Sequence, residues 1–282
     1  MSEKIVIITG ATDGIGKVAA REILKKGYSV ALVARSKEKL NQVNTELAPF
    51  AVKNSISLYQ ADLSSLKETK KVAEKIKKDF PKIHVLLNNA GAFFSERSVT
   101  QEGLESTFAL NHLNYFIFAD TLIPSLHASG EGRIVNVASG AHFGVSLDFD
   151  NLQGETKYSG WKQYQRSKLM NVYFTYELDE RLKEKSITVN CLHPGFVKTK
   201  FGHNNVGIAK SLLQFAQNLF AIGEDKGART SVFLATSDEV KNVTGQYFEK
   251  SKVKKSSKQS YDLAARKELW KRSEQIAKTI LK

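Results

Sequence analysis

The sequence predicts a doubly wound α/β fold, a parallel sheet covered by helices on both faces, and three observations lead there. Six short runs rich in β-branched residues recur at residues 4–9, 28–33, 55–59, 83–87, 133–137 and 187–192. Each is nearly continuous in apolar residues, as strands buried on both faces require. Between them, stretches such as residues 16–26, 64–80 and 163–183 repeat apolar residues at helical spacing with charge on the opposite face. Strand and helix in alternation give βαβ units with right-handed crossovers.

The chain has 282 residues, 41% of them hydrophobic, and only four prolines, so a single globular domain spanning 1–282 with a helical C-terminal tail is expected. The first strand-like run starts within a few residues of Met1, which leaves no room for a signal peptide and leads us to expect a cytoplasmic protein. The apolar run LNYFIFADTLI is interrupted by Asn114 and Asp120 and falls short of the roughly 20 residues that cross a bilayer. A single cysteine, Cys191, excludes an internal disulfide, and its neighbours offer no metal-ligand spacing, so no metal is expected. The net charge of +13 is concentrated in residues 67–80 and 250–258. Such clusters suit nucleic acid, an anionic membrane surface or a phosphate-rich cofactor. Without interleaved aromatics they read as a solvated helix face and a soluble loop, and no nucleic-acid partner is expected.

The first strand runs into TGATDGIGK, where Gly10, Gly14 and Gly16 bracket a helix start. Glycines there allow a sharp turn and a close approach to a pyrophosphate, and the helix presents its free N–H groups to the anion. The second strand ends at Arg35, where a carboxylate would otherwise hold the adenosine ribose of NAD. A guanidinium, helped by Ser36 and Lys39, instead suits a 2′-phosphate, which points to NADP(H).

The chain resembles the short-chain dehydrogenase/reductase family over nearly its whole length. TGATDGIG matches that family's phosphate turn, which implies cofactor contacts from Gly10, Thr12, Asp13, Gly14, Ile15 and Gly16 in a Rossmann fold. Asp62 and Leu63 match its adenine-side pair, NNAG at residues 88–91 its strand-four signature with Asn89 and Gly91, and Pro194 and Gly195 the bend after strand six. Asn111, Ser139, Tyr164 and Lys168 complete the set. The segments LNHLNYF, RIVNVASGAHF, YQRSKLMNVYFTYEL, VNCLHPGFVKT, GARTSVFLA, TGQYF and LWKRSE look most like the retinol dehydrogenase and WW-domain oxidoreductase branch. Many retinol-active members of that branch have an N-terminal membrane anchor, and none is expected here, where the first strand-like run starts within a few residues of Met1.

Tyr164 and Lys168 are four residues apart on a helical segment, which puts their Cβ atoms roughly 5–6 Å apart on one face. A free tyrosine titrates near ~10, and an adjacent ammonium with an oxidised nicotinamide is expected to lower that value. Tyr164 can then act as general acid toward a carbonyl oxygen while Ser139 stabilises its developing charge. Lys168 would also hold the nicotinamide ribose. The resemblance implies that Asn111 anchors a water relaying protons to Lys168, and that Val197 and Thr199 lie near the carboxamide. His112, His142, His193 and Cys191 read as structural.

Residues 200–225 include an apolar stripe at 206–220, either a substrate lid or a helix packed on the core or on a second subunit. Residues 250–282 form a basic tail, expected to dock near the site or, alternatively, to make a peripheral membrane contact. The expected function is hydride transfer between NADP(H) and a small apolar carbonyl or alcohol. The alternatives are oxidation of a hydrophobic or steroidal alcohol, and a cofactor-binding regulatory or scaffold protein. Family members pair through the helix carrying Tyr164, so a homodimer is open.

Overall fold

The computed structural model describes residues 3–184, 186–195 and 223–282. In chain order the elements are β1 Ile5–Thr9, α1 Gly14–Lys25, β2 Ser29–Ala34, α2 Lys37–Leu47, β3 Ile56–Gln60, α3 Leu66–Asp79 and β4 Val85–Asn88. A single turn, α4 Ser106–Phe108, leads through a π-helical turn Ala109–Leu113 into α5 Asn114–Ala128 and β5 Gly132–Val137. Then come α6 Gly160–Arg181, β6 Ile187–His193, α7 Glu224–Thr236, β7 Tyr247–Glu249, β8 Lys252–Lys254 and α8 Leu263–Ile280.

The eight strands among the described residues form one sheet in the order β3-β2-β1-β4-β5-β6-β7-β8. Strands β1 to β7 pair in parallel and β8 closes the edge antiparallel to β7. The near-continuous apolar runs have the expected cause. Every residue of β1, β2, β4 and β5 is buried, and alternate side chains serve opposite faces. Ile5 and Ile7 join a core with α3, α5, α6 and α8, whereas Val6 and Ile8 join one with α1, α2 and α7.

The sheet places the site. From β1 the chain winds outward to β2 and β3, then returns to β4 on the other side of β1. Strand order reverses between β1 and β4, and ligands of open α/β sheets bind at the carboxyl ends of strands flanking such a point. Gly10 and Asn89 follow those two ends, and Ser139 and Pro194 follow the carboxyl ends of the next strands, β5 and β6.

Six strands were legible in the sequence, and the structure adds two. Three residues each, β7 and β8 are too short to show a periodicity. Residues 144–159 are irregular apart from one 3-10 turn, Phe149–Asn151, and Gly160 already opens α6. The tail forms α8, whose Leu269 is buried while Trp270 meets Phe116 at 4.9 Å and Phe174 at 6.0 Å between ring centroids. The apolar stripe at 206–220 lies outside the described residues.

Candidate active site

Thr9 and Asn89 tie the end of β1 to the end of β4. The Thr9 hydroxyl accepts from the N–H groups of Asn89 (2.9 Å) and Ala90 (3.0 Å), while the Asn89 amide donates to the Thr9 (2.9 Å) and Gly10 (3.1 Å) carbonyls. This holds the turn so close to β4 that side chains are excluded. A Cβ on Gly10, which sits at φ +67°, would lie 2.8 Å from Ala90 Cα, and one on Gly16 would collide with the Gly10 carbonyl oxygen. Asp13 caps α1 by accepting from Gly14 N–H at 2.9 Å, and no acid occupies that helix's first turn. Thr12 is half-buried, and Ile15 packs on the core under α1.

Arg35 follows β2 directly and is exposed, with its carbonyl accepting from Gln60 Nε2 at 3.2 Å. Ser36 caps α2 by accepting from Lys39 N–H at 3.2 Å and donates to Glu38 at 2.8 Å. Neither Arg35 nor Lys39 has a carboxylate partner among the described residues. Asp62 holds its own turn, accepting from Ser64 N–H (2.9 Å) and the Ser64 hydroxyl (2.7 Å), and Leu63 is buried.

The structure brings Asn111, Ser139, Tyr164 and Lys168 together from three places: the π-helical turn, the turn after β5, and α6. Ser139, past the end of β5, caps a 3-10 turn by accepting from Ala141 N–H at 3.1 Å. Tyr164, in the first turns of α6, hydrogen-bonds Ser139 through its phenol. One turn on, Lys168 donates to the Val137 carbonyl at 3.2 Å, its Nζ 5.6 Å from the Tyr164 ring centroid. Asn111 lies in the π-helical turn, a distortion often found at functional sites. It accepts from Ala92 N–H at 2.8 Å and donates to the Ala92 carbonyl at 2.9 Å and the Ser167 hydroxyl at 3.0 Å. Gly91 closes the group, since a Cβ there would sit 3.2 Å from Asn111 Oδ1 and 3.4 Å from Lys168 Nζ.

Burial shifts both titrating groups. The Tyr164 phenol is pushed up to about 12, with the Ser139 hydrogen bond pulling weakly the other way. The Lys168 ammonium is pushed down to about 8. A lowered phenol was expected from the sequence, and in the protein alone the opposite holds. Desolvation outweighs the neighbouring ammonium where no second positive charge is present. The arrangement is a protonated acid, a hydroxyl donor and a poised ammonium, able to protonate an oxygen held between Tyr164 and Ser139.

Two aromatic neighbours were missed at the sequence level. Phe93 and Trp161 place their ring centroids 6.1 and 5.8 Å from that of Tyr164, and Trp161 is half-exposed. The only available signals were that Phe93 follows NNAG and that Trp161 precedes Tyr164 by three residues. Pro194 and Gly195 follow β6, with Gly195 at φ +88°. Val197 and Thr199 lie outside the described residues. A cavity of about 510 Å³ opens between residues 149–155 and α8, and no predicted site residue lines it.

The short chain dehydrogenase family model matches residues 4–207, and the chain belongs to that oxidoreductase family. It is 34% identical over 279 residues to retinol dehydrogenase 13 of Homo sapiens, covering 97% of this chain and 84% of that one. To retinol dehydrogenase 14 of Mus musculus it is 34% identical over 286 residues, with 97% and 86% covered. Among solved structures, an uncharacterised protein from Mycobacterium paratuberculosis matches with TM-score 0.79 and 26% identity over 98% of this chain and 94% of that one. The chain is thus a short-chain dehydrogenase of the retinol dehydrogenase-like branch, with the mostly parallel sheet of a Rossmann fold.

Proposed function

We propose that this protein transfers hydride between NADP(H) and the carbonyl or alcohol group of an apolar molecule, with reduction as its favoured direction. The observation that carries the proposal is the buried Tyr164 phenol bonded to Ser139, one helical turn from Lys168 and beside the glycine turn.

The residues present fit a dinucleotide. The cradle at Gly10 and Gly16 is a space that a Cβ would fill, and it opens at the N-terminus of α1. Thr12, Asp13, Gly14 and Ile15 would share the pyrophosphate turn, with Asp62 and Leu63 on the adenine side. Arg35, Ser36 and Lys39 would take a 2′-phosphate, and the exposed guanidinium stands where NAD-binding proteins place an acid. Asn89, Gly91, Lys168, Pro194 and Gly195 would border the nicotinamide half. When bound, the nicotinamide supplies or accepts the hydride.

The chain's own residues then handle the oxygen. Ser139 donates a hydrogen bond to it as charge develops, and Tyr164 gives up its proton in the same step. A phenol raised to about 12 is fully protonated at neutral pH, which supports reduction. Lys168 lowers the barrier to proton loss by holding positive charge beside the phenolate. Asn111 keeps the loop after β4 and helix α6 in register beneath Lys168. An apolar substrate is supported by the aromatic pair Phe93 and Trp161 beside the phenol, and by relatives named for retinol.

A panel of retinal, medium-chain aldehydes, quinones and steroids, each assayed with NADPH and NADH, tests the proposal. Turnover of an apolar carbonyl with a clear NADPH preference is expected. Equal use of both cofactors, or turnover of polar substrates alone, would contradict it.

A further inference from the structure

Ser139 is joined to Gly140 by one peptide, and a histidine grips each end of it. The carbonyl of Ser139 accepts from His142 Nδ1 at 2.6 Å, and the N–H of Gly140 donates to His193 Nδ1 at 3.0 Å. The two rings therefore hold opposite tautomers. His193 uses Nδ1 as acceptor, so its proton is on Nε2, whereas His142 carries its proton on Nδ1. A third contact fixes the His142 form: its Nε2 accepts from the backbone N–H of Ser257 at 3.0 Å.

Ser257 belongs to the C-terminal segment, which is itself bolted to α6. Tyr176 OH meets Ser256 Oγ at 2.7 Å, Ser256 Oγ meets Ser260 Oγ at 2.6 Å, and Tyr173 OH donates to the Gln259 carbonyl at 3.0 Å. The His193 ring lies against Gly140 so closely that a Cβ there would sit 3.2 Å from Nε2.

We propose that His142 and His193 are positioning residues that clamp the Ser139–Gly140 peptide, and that Ser257 N–H completes the clamp from the C-terminal segment. The proposal rests on the reading of Ser139 as the donor to the substrate oxygen. The clamp sets where that hydroxyl points, without touching substrate. His142 is packed by the rings of Phe143 (4.3 Å) and Tyr247 (5.0 Å), with His193 the titratable group acting on it, while Glu249 and Lys250 are the charges acting on His193. Burial holds both imidazoles below the usual histidine range, in keeping with the neutral forms that the contacts require.

The test has one arm without cofactor and one with it. Long-range proton–nitrogen NMR on histidine-labelled protein at pH 7.5 should show His142 as the Nδ1–H form and His193 as the Nε2–H form. Ser257 sits at φ −61°, which proline adopts. Ser257→Pro therefore removes the N–H without straining φ. Its ring Cδ also takes the place of the hydrogen aimed at His142 Nε2 and pushes that ring out of the contact. Ser257→Ala, which retains the N–H, is the comparison. The proline variant should mix the His142 tautomers and lower kcat on retinal with NADPH by roughly tenfold to a hundredfold, leaving KM for NADPH within about twofold of the alanine variant.

His193→Leu should show the same split, and His193→Asn, whose Oδ1 can accept from Gly140 N–H, should restore kcat toward wild type. His142 found as the Nε2–H form, or His193→Leu turning over like wild type, overturns the clamp. Ser139→Ala is measured beside them. If it is inactive while the histidine and proline variants turn over normally, only the clamp fails. If Ser139→Ala is itself fully active, the reading of Ser139 fails and the clamp with it.

Discussion

Tyr164 and Lys168 are displaced in opposite directions by the same burial, one up to about 12 and the other down to about 8. The pair keeps its proton on the phenol at neutral pH and leaves the ammonium as the group nearest to titrating. Reductive kcat/KM, which reports the free enzyme, should therefore fall as pH rises through about 8, where Lys168 loses its charge. A profile flat to pH ~10, the ordinary lysine range, would remove Lys168 from the proton path. At the other end of the site, Arg35→Asp should shift the NADPH-to-NADH ratio of kcat/KM by at least about tenfold, since one charged hydrogen bond contributes about 1.5–3 kcal/mol. An unchanged ratio would assign the 2′-phosphate elsewhere. The four-residue spacing of Tyr164 and Lys168, and Ser139 at a strand end, were legible in the sequence because local geometry fixes them. Phe93 and the paired histidines were not, since their partners come from distant segments. Trp161, three residues before Tyr164 on the same helix, was missed because spacing alone does not show that its half-exposed ring stacks on the phenol. His193 meets Gly140 across 53 positions and His142 meets Ser257 across 115.

At the scale of elements, the sequence foresaw those whose burial is one-sided or complete over several residues. Helix α3 shows the amphipathic case, with Leu66, Val72, Ala73 and Ile76 buried beneath a lysine-rich outer face. Helix α5 was harder to delimit. Sandwiched between sheet and neighbours, it is buried nearly all round and has little periodicity to display. Strands β7 and β8 are three residues each, and at the edge formed by β8 the exposed Lys252 and Lys254 discourage further pairing. Helix α8 docks through Leu269, 1% exposed in the core shared with α6. Leu269→Ala should lower unfolding free energy by about 2–5 kcal/mol, as large-to-small core changes do. Thermal or urea unfolding checks this, and an unchanged midpoint would mean that the tail contributes no stability.

Across the whole molecule, histidine burial couples stability to pH. His84, His112, His142 and His193 are all held below the usual histidine range, chiefly by desolvation, and His112 falls to about 3. In the unfolded chain each would titrate near ~6.5. Between the folded and unfolded values the unfolded state binds more protons, so stability rises with pH across that window and is lost as pH falls below about 6.5. The unfolding midpoint should already drop between pH ~6.5 and ~5, above the carboxylate range. A midpoint constant until pH ~4.5 would mean that these imidazoles are not buried neutral. Among the described residues no helix is long and apolar enough to cross a membrane.

One buried phenol, that of Tyr164, is proposed to deliver the proton during hydride transfer at this site. Tyr164→Phe tests it most directly, with NADPH affinity measured by fluorescence titration beside steady-state turnover of the best carbonyl substrate. The variant should bind NADPH within about twofold of wild type while kcat falls by at least ~10², the lower range for a lost general acid. A phenylalanine variant that turns over at the wild-type rate would contradict it.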